Sequence, residues 1–152
     1  KFDGRIAEDY KLATGTFVSV GPLRAKIIAA GAPFIQDVVL TGINLKEVGA
    51  MVFPTPAVRA LSGLAADAPL ADVLASAPVQ AKFQAIVNAL AQTATGSASR
   101  IARLCLLSDP PTIDKGEITD KGSINQRSVL AHRAGTVAAL HEGTLPHILQ
   151  PQ

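Results

Sequence analysis

At 152 residues the chain has the length of one ordinary domain, enough to bury a core without disulfides or a structural metal. Its net charge is +2 and its basic residues are scattered rather than striped, which argues against a nucleic-acid footprint; five Phe, one Tyr and no Trp argue against an aromatic platform for bases or sugars. Apolar residues make up 48% and charged residues only 17%, so either much of the chain is buried or some of its surface is meant to be covered.

Residues 3–20, DGRIAEDYKLATGTFVSV, carry turn signals at Asp3-Gly4 and Thr14-Gly15 and end in a strand-like TFVSV, which predicts an opening hairpin. Pro22 starts a helical pattern in which Leu23, Ile27, Ile28 and Ala30 recur, and Gly31 and Pro33 end it. Gln36 to Gly42, QDVVLTG, reads as a strand, Asn44 to Lys46 as a turn, and Val48 to Pro54, VGAMVFP, as the next strand of an antiparallel pair. Pro56 opens a short helix reaching Leu61. A second covers Leu70 to Ala75, with Asp67 as its cap and Pro69 just inside. Pro78 opens a longer helix whose apolar stripe is Phe83, Ile86, Val87 and Leu90, a core-facing pattern. Thr93 to Ser99 is small and polar, hence a loop.

Arg103 to Leu107 reads as a strand, ended by Ser108-Asp109-Pro110-Pro111, and the single cysteine, Cys105, is expected to be buried within it. One cysteine excludes an intramolecular disulfide and fits a cytoplasmic origin. Thr112 to Gly122 is a charged loop with room for a short strand at Glu117 to Thr119. Asn125 to His141 reads as one amphipathic helix, with Val129, Leu130, Val137 and Leu140 inward, and Gly143 to Gln152 as a tail. The sum is an α+β domain, a small mixed sheet with packed helices preceded by a short hairpin. No signal peptide or membrane-spanning apolar run is evident, and the chain opens on KFDGR without an initiator Met, as though cut from something longer.

No metal-ligand cluster, nucleophile elbow or phosphate loop is present in the sequence. His132, His141 and His147 fall in the last helix and tail and read as surface helix residues. Pattern alone leaves Arg5, Lys11 and Lys121 as charges in Gly-containing loops, and the plain reading of each is a solvated turn residue.

Four phrases in this order carry more: GRIAEDYKLATGTFVSVGPLRAKI, QDVVLTG, VGAMVFP and GEITDKGSINQR. Together they resemble the small C-terminal domain of the acyl-adenylate-forming superfamily, and within it the feruloyl-CoA synthase subgroup. The resemblance runs from Phe2 to about Leu140 and rests on the opening and closing phrases.

It implies a mobile domain spanning residues 1–152, working with a large N-terminal domain that this chain lacks. It also implies ATP, Mg2+ and CoA as cofactors, an aromatic carboxylic acid as substrate, and no nucleic-acid or membrane partner. The hinge would lie near residues 4–9. Arg5 would approach the adenylate, and Ala7, Glu8 or Asp9 would be the pivot, Ala7 standing where Asp or Lys is usual. The loop from Lys11 to Gly15 would enter the active site for thioester formation, with Thr14 and Gly15 at its tip. The Pro-x-Glu-Ile-Glu phrase expected next is replaced by GPLRAK. The catalytic lysine would be Lys121, in the context Ile118-Thr119-Asp120-Lys121, because Glu117 breaks the usual Gly-Lys form; Lys115 is the alternative. Another thiol acceptor, or a stand-alone module without chemistry, would be compatible with the same small domain.

Overall fold

The computed structural model describes residues 9–43, 45–94, 100–119, 122, 124–145 and 147–151. The chain opens with an antiparallel hairpin of β1 (Tyr10–Lys11) and β2 (Phe17–Val18). Strand alternation turns Tyr10 and Val18 inward and leaves Lys11 and Phe17 outside. The Tyr10 hydroxyl donates to the Thr41 carbonyl at 2.7 Å and ties the hairpin to the main sheet.

Helix α1 (Val20–Ala30) starts two residues before the expected Pro22, which sits in its first turn and needs no N–H there. Its first backbone N–H, of Val20, is satisfied by the Asp9 carboxylate at 2.8 Å. A negative group is favoured at this end of a helix. Val20, Leu23 and Ile27 form the buried face.

The main sheet has the order β3-β4-β5. β3 (Ile35–Thr41) and β4 (Val48–Pro54) are antiparallel; β5 (Ile101–Leu106) runs parallel to β4. The parallel return requires a crossover, supplied by α2 (Ala57–Ser62), α3 (Leu70–Ala75) and α4 (Ala77–Thr93). β4 is the central strand, and Val48 through Phe53 are all buried, as a strand covered on both faces must be. Successive residues feed two cores. Val38, Leu40, Ala50, Val52 and Leu104 meet Phe83, Ile86, Val87 and Leu90 of α4 on one face. Val39, Met51, Phe53 and Cys105 meet Val129 and Leu140 on the other. Cys105 is buried as expected, and burial pushes its thiol pKa up to about 12, so it is held protonated and inert.

Further expectations change, beginning with β3, which runs one residue earlier than expected. β5 begins at Ile101, two residues early. Asp67 does not cap α3: Pro69 occupies the N-cap position itself, and its fixed φ leads directly into Leu70. The last amphipathic helix is two helices, α5 (Gln126–His132) and α6 (Ala134–Glu142). They meet at Arg133, whose backbone leaves the helical region (φ −116°, ψ 30°). Finally, the tail is docked: Leu149 exchanges two backbone hydrogen bonds with Leu104, both 2.9 Å, and is buried against the edge of β5. Among the described residues no helix is long and apolar enough to cross a membrane.

Candidate functional site

The hairpin loop is rooted firmly and open at its tip. Leu12 is buried and its N–H donates to the Thr16 carbonyl at 2.9 Å, while the Ala13 N–H donates to the Leu45 carbonyl at 2.7 Å. Gly15 N–H returns to the Leu12 carbonyl at 2.9 Å, and the Thr14 and Thr16 hydroxyls share a 2.9 Å hydrogen bond. Lys11, Thr14 and Gly15 are all exposed, so the structure brings three of the expected residues into one presenting loop. Gly15 has φ +86°, a conformation L-residues rarely take, and nothing lies within 4 Å of where a Cβ would be.

Arg5, Ala7, Glu8 and Lys121 lie outside the described residues. Asp9, the remaining pivot candidate, spends its carboxylate on the start of α1.

The second presenting segment runs from Thr112 to Thr119, with Gly122, Ile124 and Asn125 described beyond it. Its first turn closes with Gly116 N–H donating to the Ile113 carbonyl (2.9 Å) and Glu117 N–H to the Thr112 carbonyl (3.0 Å). Ile118 and Ile124 then form an antiparallel bridge, which is all that appears of the expected strand at Glu117 to Thr119. Gly122 N–H donates to the Thr119 carbonyl (2.9 Å) and Asn125 N–H to the Glu117 carbonyl (2.8 Å). Lys115 is exposed beside an open cleft of about 570 Å³, lined also by Thr112, Glu117, His132, Arg133 and Thr136.

Beneath this loop lies a group the sequence does not reveal. Glu117, only 1% exposed, accepts from Arg133 Nε at 2.9 Å and from Arg133 Nη2 at 3.1 Å. Thr112 N–H adds a third bond at 3.1 Å. Arg133 also donates to the carbonyls of Asp109 and Pro110, both at 3.0 Å, and its guanidinium lies 5.1 Å from the centroid of the Phe53 ring. The hydrogen bond from Arg133 holds the Glu117 carboxyl below its ordinary pKa, outweighing the burial that pushes it up. A partner sixteen positions away leaves no local signal.

Two further residues of GEITDKGSINQR serve the fold. Asn125 Oδ1 caps α5 through Ser128 N–H at 3.2 Å. Buried Gln126 accepts from Leu40 N–H at 3.0 Å, satisfying an edge donor of β3.

Of the histidines, His132 and His147 are exposed, but His141 is half-buried. Its Nε2 lies 2.6 Å from Thr41 Oγ1. Burial, and then the nearby Arg103, lower its pKa against the opposing pull of Glu47. The unfolded chain therefore binds a proton at this site before the native state does. Stability is expected to fall as pH drops through 6.5, the ordinary histidine value, and to fall again below 4.5 as Glu117 protonates. Thermal melts of His141→Gln against pH should lose the upper step and keep the lower; an unchanged upper step would assign it elsewhere.

Among the described residues no group of three or more His, Cys, Asp or Glu side chains could hold a metal ion.

No protein-family model matches the chain, and no curated protein does. The solved structures similar to it include three adenylation-domain structures. The first is the A domain of a carboxylic acid reductase from Segniliparus rugosus, in complex with AMP and a co-purified carboxylic acid; it is 22% identical over 93% of this chain, with a TM-score of 0.62. The second is the A-PCP didomain of carboxylic acid reductase from the same organism with AMP, at 24%, 89% and 0.61. The third is the adenylation domain of a carboxylate reductase from Mycobacterium chelonae, at 21%, 91% and 0.62. At these identities the fold is what is shared. The chain spans 21%, 17% and 20% of those three chains, about a fifth of their length.

Proposed function

We propose that the chain is the small C-terminal domain of an adenylate-forming enzyme, the part that alternates between two catalytic positions. The observation that carries this reading is the adenylation-domain fold over about nine-tenths of the chain. The loop that presents Lys11, Thr14 and Gly15 and the turn that presents Lys115 and Gly116 are well anchored in it, as a domain that swaps one loop for another requires.

In the first half reaction a carboxylate attacks the α-phosphate of ATP and displaces pyrophosphate, giving the acyl-adenylate. Lys121 reaches the carboxylate and α-phosphate oxygens from the small domain. A lysine suits this task because it is a compact cation on a long stem, stabilising charge that both groups share in the transition state. Arg5 approaches the adenylate near the hinge. The domain then rotates about the segment before Asp9, which α1 holds fast. Lys121 withdraws and the Thr14-Gly15 tip enters, where a glycine lets backbone approach the reacting centre. A thiolate acceptor attacks the adenylate carbonyl and AMP leaves. On this reading Mg2+ would be held mostly by the large domain, and its bound form would offset the phosphate charge there.

The subgroup resemblance of the opening and closing phrases supports a phenylpropenoic acid such as ferulate as the acid and CoA as one acceptor. The structural similarities support the second acceptor, the pantetheine of a carrier protein, better than CoA, since the similar structures are carboxylic acid reductases and one of them is an A-PCP didomain. The test uses the full-length polypeptide. Ferulate-dependent exchange of pyrophosphate into ATP is expected, followed by transfer to one of these thiols. Transfer to a pantetheinylated carrier alone would select the second acceptor, and no acid-dependent exchange with aryl or aliphatic acids would sink the reading. The 152-residue chain by itself is expected to make no thioester from ferulate, ATP and CoA, since the ATP and acid pockets would belong to the large domain.

A further inference from the structure

We propose that His141 holds the seat of the hairpin loop through Thr41, which makes it a positioning residue for acyl transfer. The inference rests on the functional reading above. The loop that presents Lys11, Thr14 and Gly15 is fastened to one place, the end of β3. The Tyr10 hydroxyl donates to the Thr41 carbonyl at 2.7 Å. Ala13 N–H donates to the Leu45 carbonyl, and Leu45 N–H donates to the carbonyl of Gly42, the residue after Thr41. The direction of those two carbonyls therefore sets the direction of the loop.

Thr41 is fully buried, and its hydroxyl oxygen lies 2.6 Å from Nε2 of His141 on α6. The sheet is shaped for this contact. Thr41, Gly49 and Arg103 are register neighbours across β3, β4 and β5. Gly49 leaves a gap in the middle of that row: a Cβ there would collide with Thr41 Oγ1 and come within 3.1 Å of His141 Nε2. At the end of the row Arg103 Nη1 donates to the Leu140 carbonyl at 3.2 Å and holds the last turn of α6 over the sheet.

Packing alone does not account for the pair. A valine at Thr41 would fill much the same volume and need no partner, whereas a buried hydroxyl needs one. What the pair adds is a fixed side-chain angle at the residue whose carbonyl carries Tyr10. The contact also depends on the state of the ring. A neutral imidazole can take the hydroxyl proton or give its own, but a protonated one can only give. The charged groups that face the ring are Arg103 from β5, which opposes a second positive charge, and Glu47 from the turn before β4, which favours one. β3 and β4 place the uncharged Thr41 and Gly49 against it. Burial and Arg103 outweigh Glu47, so the ring stays neutral until pH falls below 6.5.

The experiment uses the full-length enzyme with each half reaction measured separately, acyl transfer being followed from a supplied acyl-adenylate to the thiol that the parent enzyme uses. His141→Ala and Thr41→Val leave the β3–β4 ladder in place. Each is expected to lower acyl transfer about tenfold, with adenylation within about twofold. The double variant should lose no more than either single one. His141→Gln, whose amide can reach the hydroxyl and does not titrate, should restore transfer above pH 6.5, and its transfer relative to the parent should rise as pH falls below that value. Equal loss in both half reactions would reduce His141 to a fold residue and overturn the proposal, as would additive losses or unchanged transfer in a folded His141→Ala enzyme. Gly15→Ala separates this failure from that of the functional reading. If Gly15→Ala slows transfer while His141→Ala does not, the seat alone falls. If a folded Gly15→Ala enzyme transfers normally, the loop assignment falls and this inference with it. Thr41→Val reads the same outcomes should His141→Ala fail to fold.

Discussion

Lys121→Ala in the full-length enzyme is expected to slow adenylate formation by about a hundred- to a thousandfold, the cost of removing one preorganised charge from a transition state. Acyl transfer from a supplied adenylate should change by less than about threefold, because on the proposed cycle Lys121 has left before that step begins. The asymmetry is the informative part. A lysine that merely supported the fold would depress both half reactions together, in proportion to the protein lost. Lys115→Ala separates the two lysine candidates. Lys115 sits on the outer turn, before the Glu117–Arg133 anchor, and lines the open cleft with Thr112, His132 and Thr136. A large adenylation loss at Lys115 with none at Lys121 would exchange their roles.

How far the sequence discloses the fold depends on whether its signals are local. β4 was bounded correctly as Val48–Pro54, because an apolar run between a polar turn and a proline is a local statement. The stripe of α4 was equally plain, since Phe83, Ile86, Val87 and Leu90 repeat at helical spacing and all four are buried. What failed to show depends on distant partners. The break at Arg133 is invisible in AHRAGTV, where helical periodicity continues on both sides; its guanidinium is drawn down onto Glu117 and the Asp109 and Pro110 carbonyls. The docking of Leu149 needs the free edge of β5, which no reading of a polar tail supplies.

The candidate site divides the same way. Thr14-Gly15 was legible as a turn, and the structure makes it an exposed tip. GEITDKGSINQR was legible as a distinctive phrase, but much of that distinctiveness serves the fold: Glu117 binds Arg133, Asn125 caps α5, and Gln126 satisfies β3. Chemistry and architecture are interleaved residue by residue, so the phrase alone cannot say which letters do which.

Two glycines near the hairpin loop separate loop chemistry from loop support. Gly42→Ala is expected to destabilise the domain by about 2–4 kcal/mol, combining backbone strain with a steric clash. Gly42 has φ +123°, and a Cβ there would run into the backbone carbonyl oxygen of Glu47, which cannot swing aside as a side chain can. The carbonyl of Gly42 also receives Leu45 N–H at 2.8 Å, and Leu45 in turn holds Ala13, so the hairpin loop loses its seat as the connection shifts. Denaturant midpoints should fall, and both half reactions should decline together with the folded fraction. Gly15→Ala should behave differently. Its φ of +86° costs an alanine about 1–2 kcal/mol, yet nothing stands within 4 Å of the added methyl, so the domain remains folded. Adenylation should stay within about twofold, because on the proposed cycle the tip is away from the reacting atoms during that step. On the proposed cycle acyl transfer should fall about tenfold or more, because the added methyl would then crowd the attacking thiol. Normal acyl transfer by a folded Gly15→Ala enzyme would remove this loop from the second half reaction.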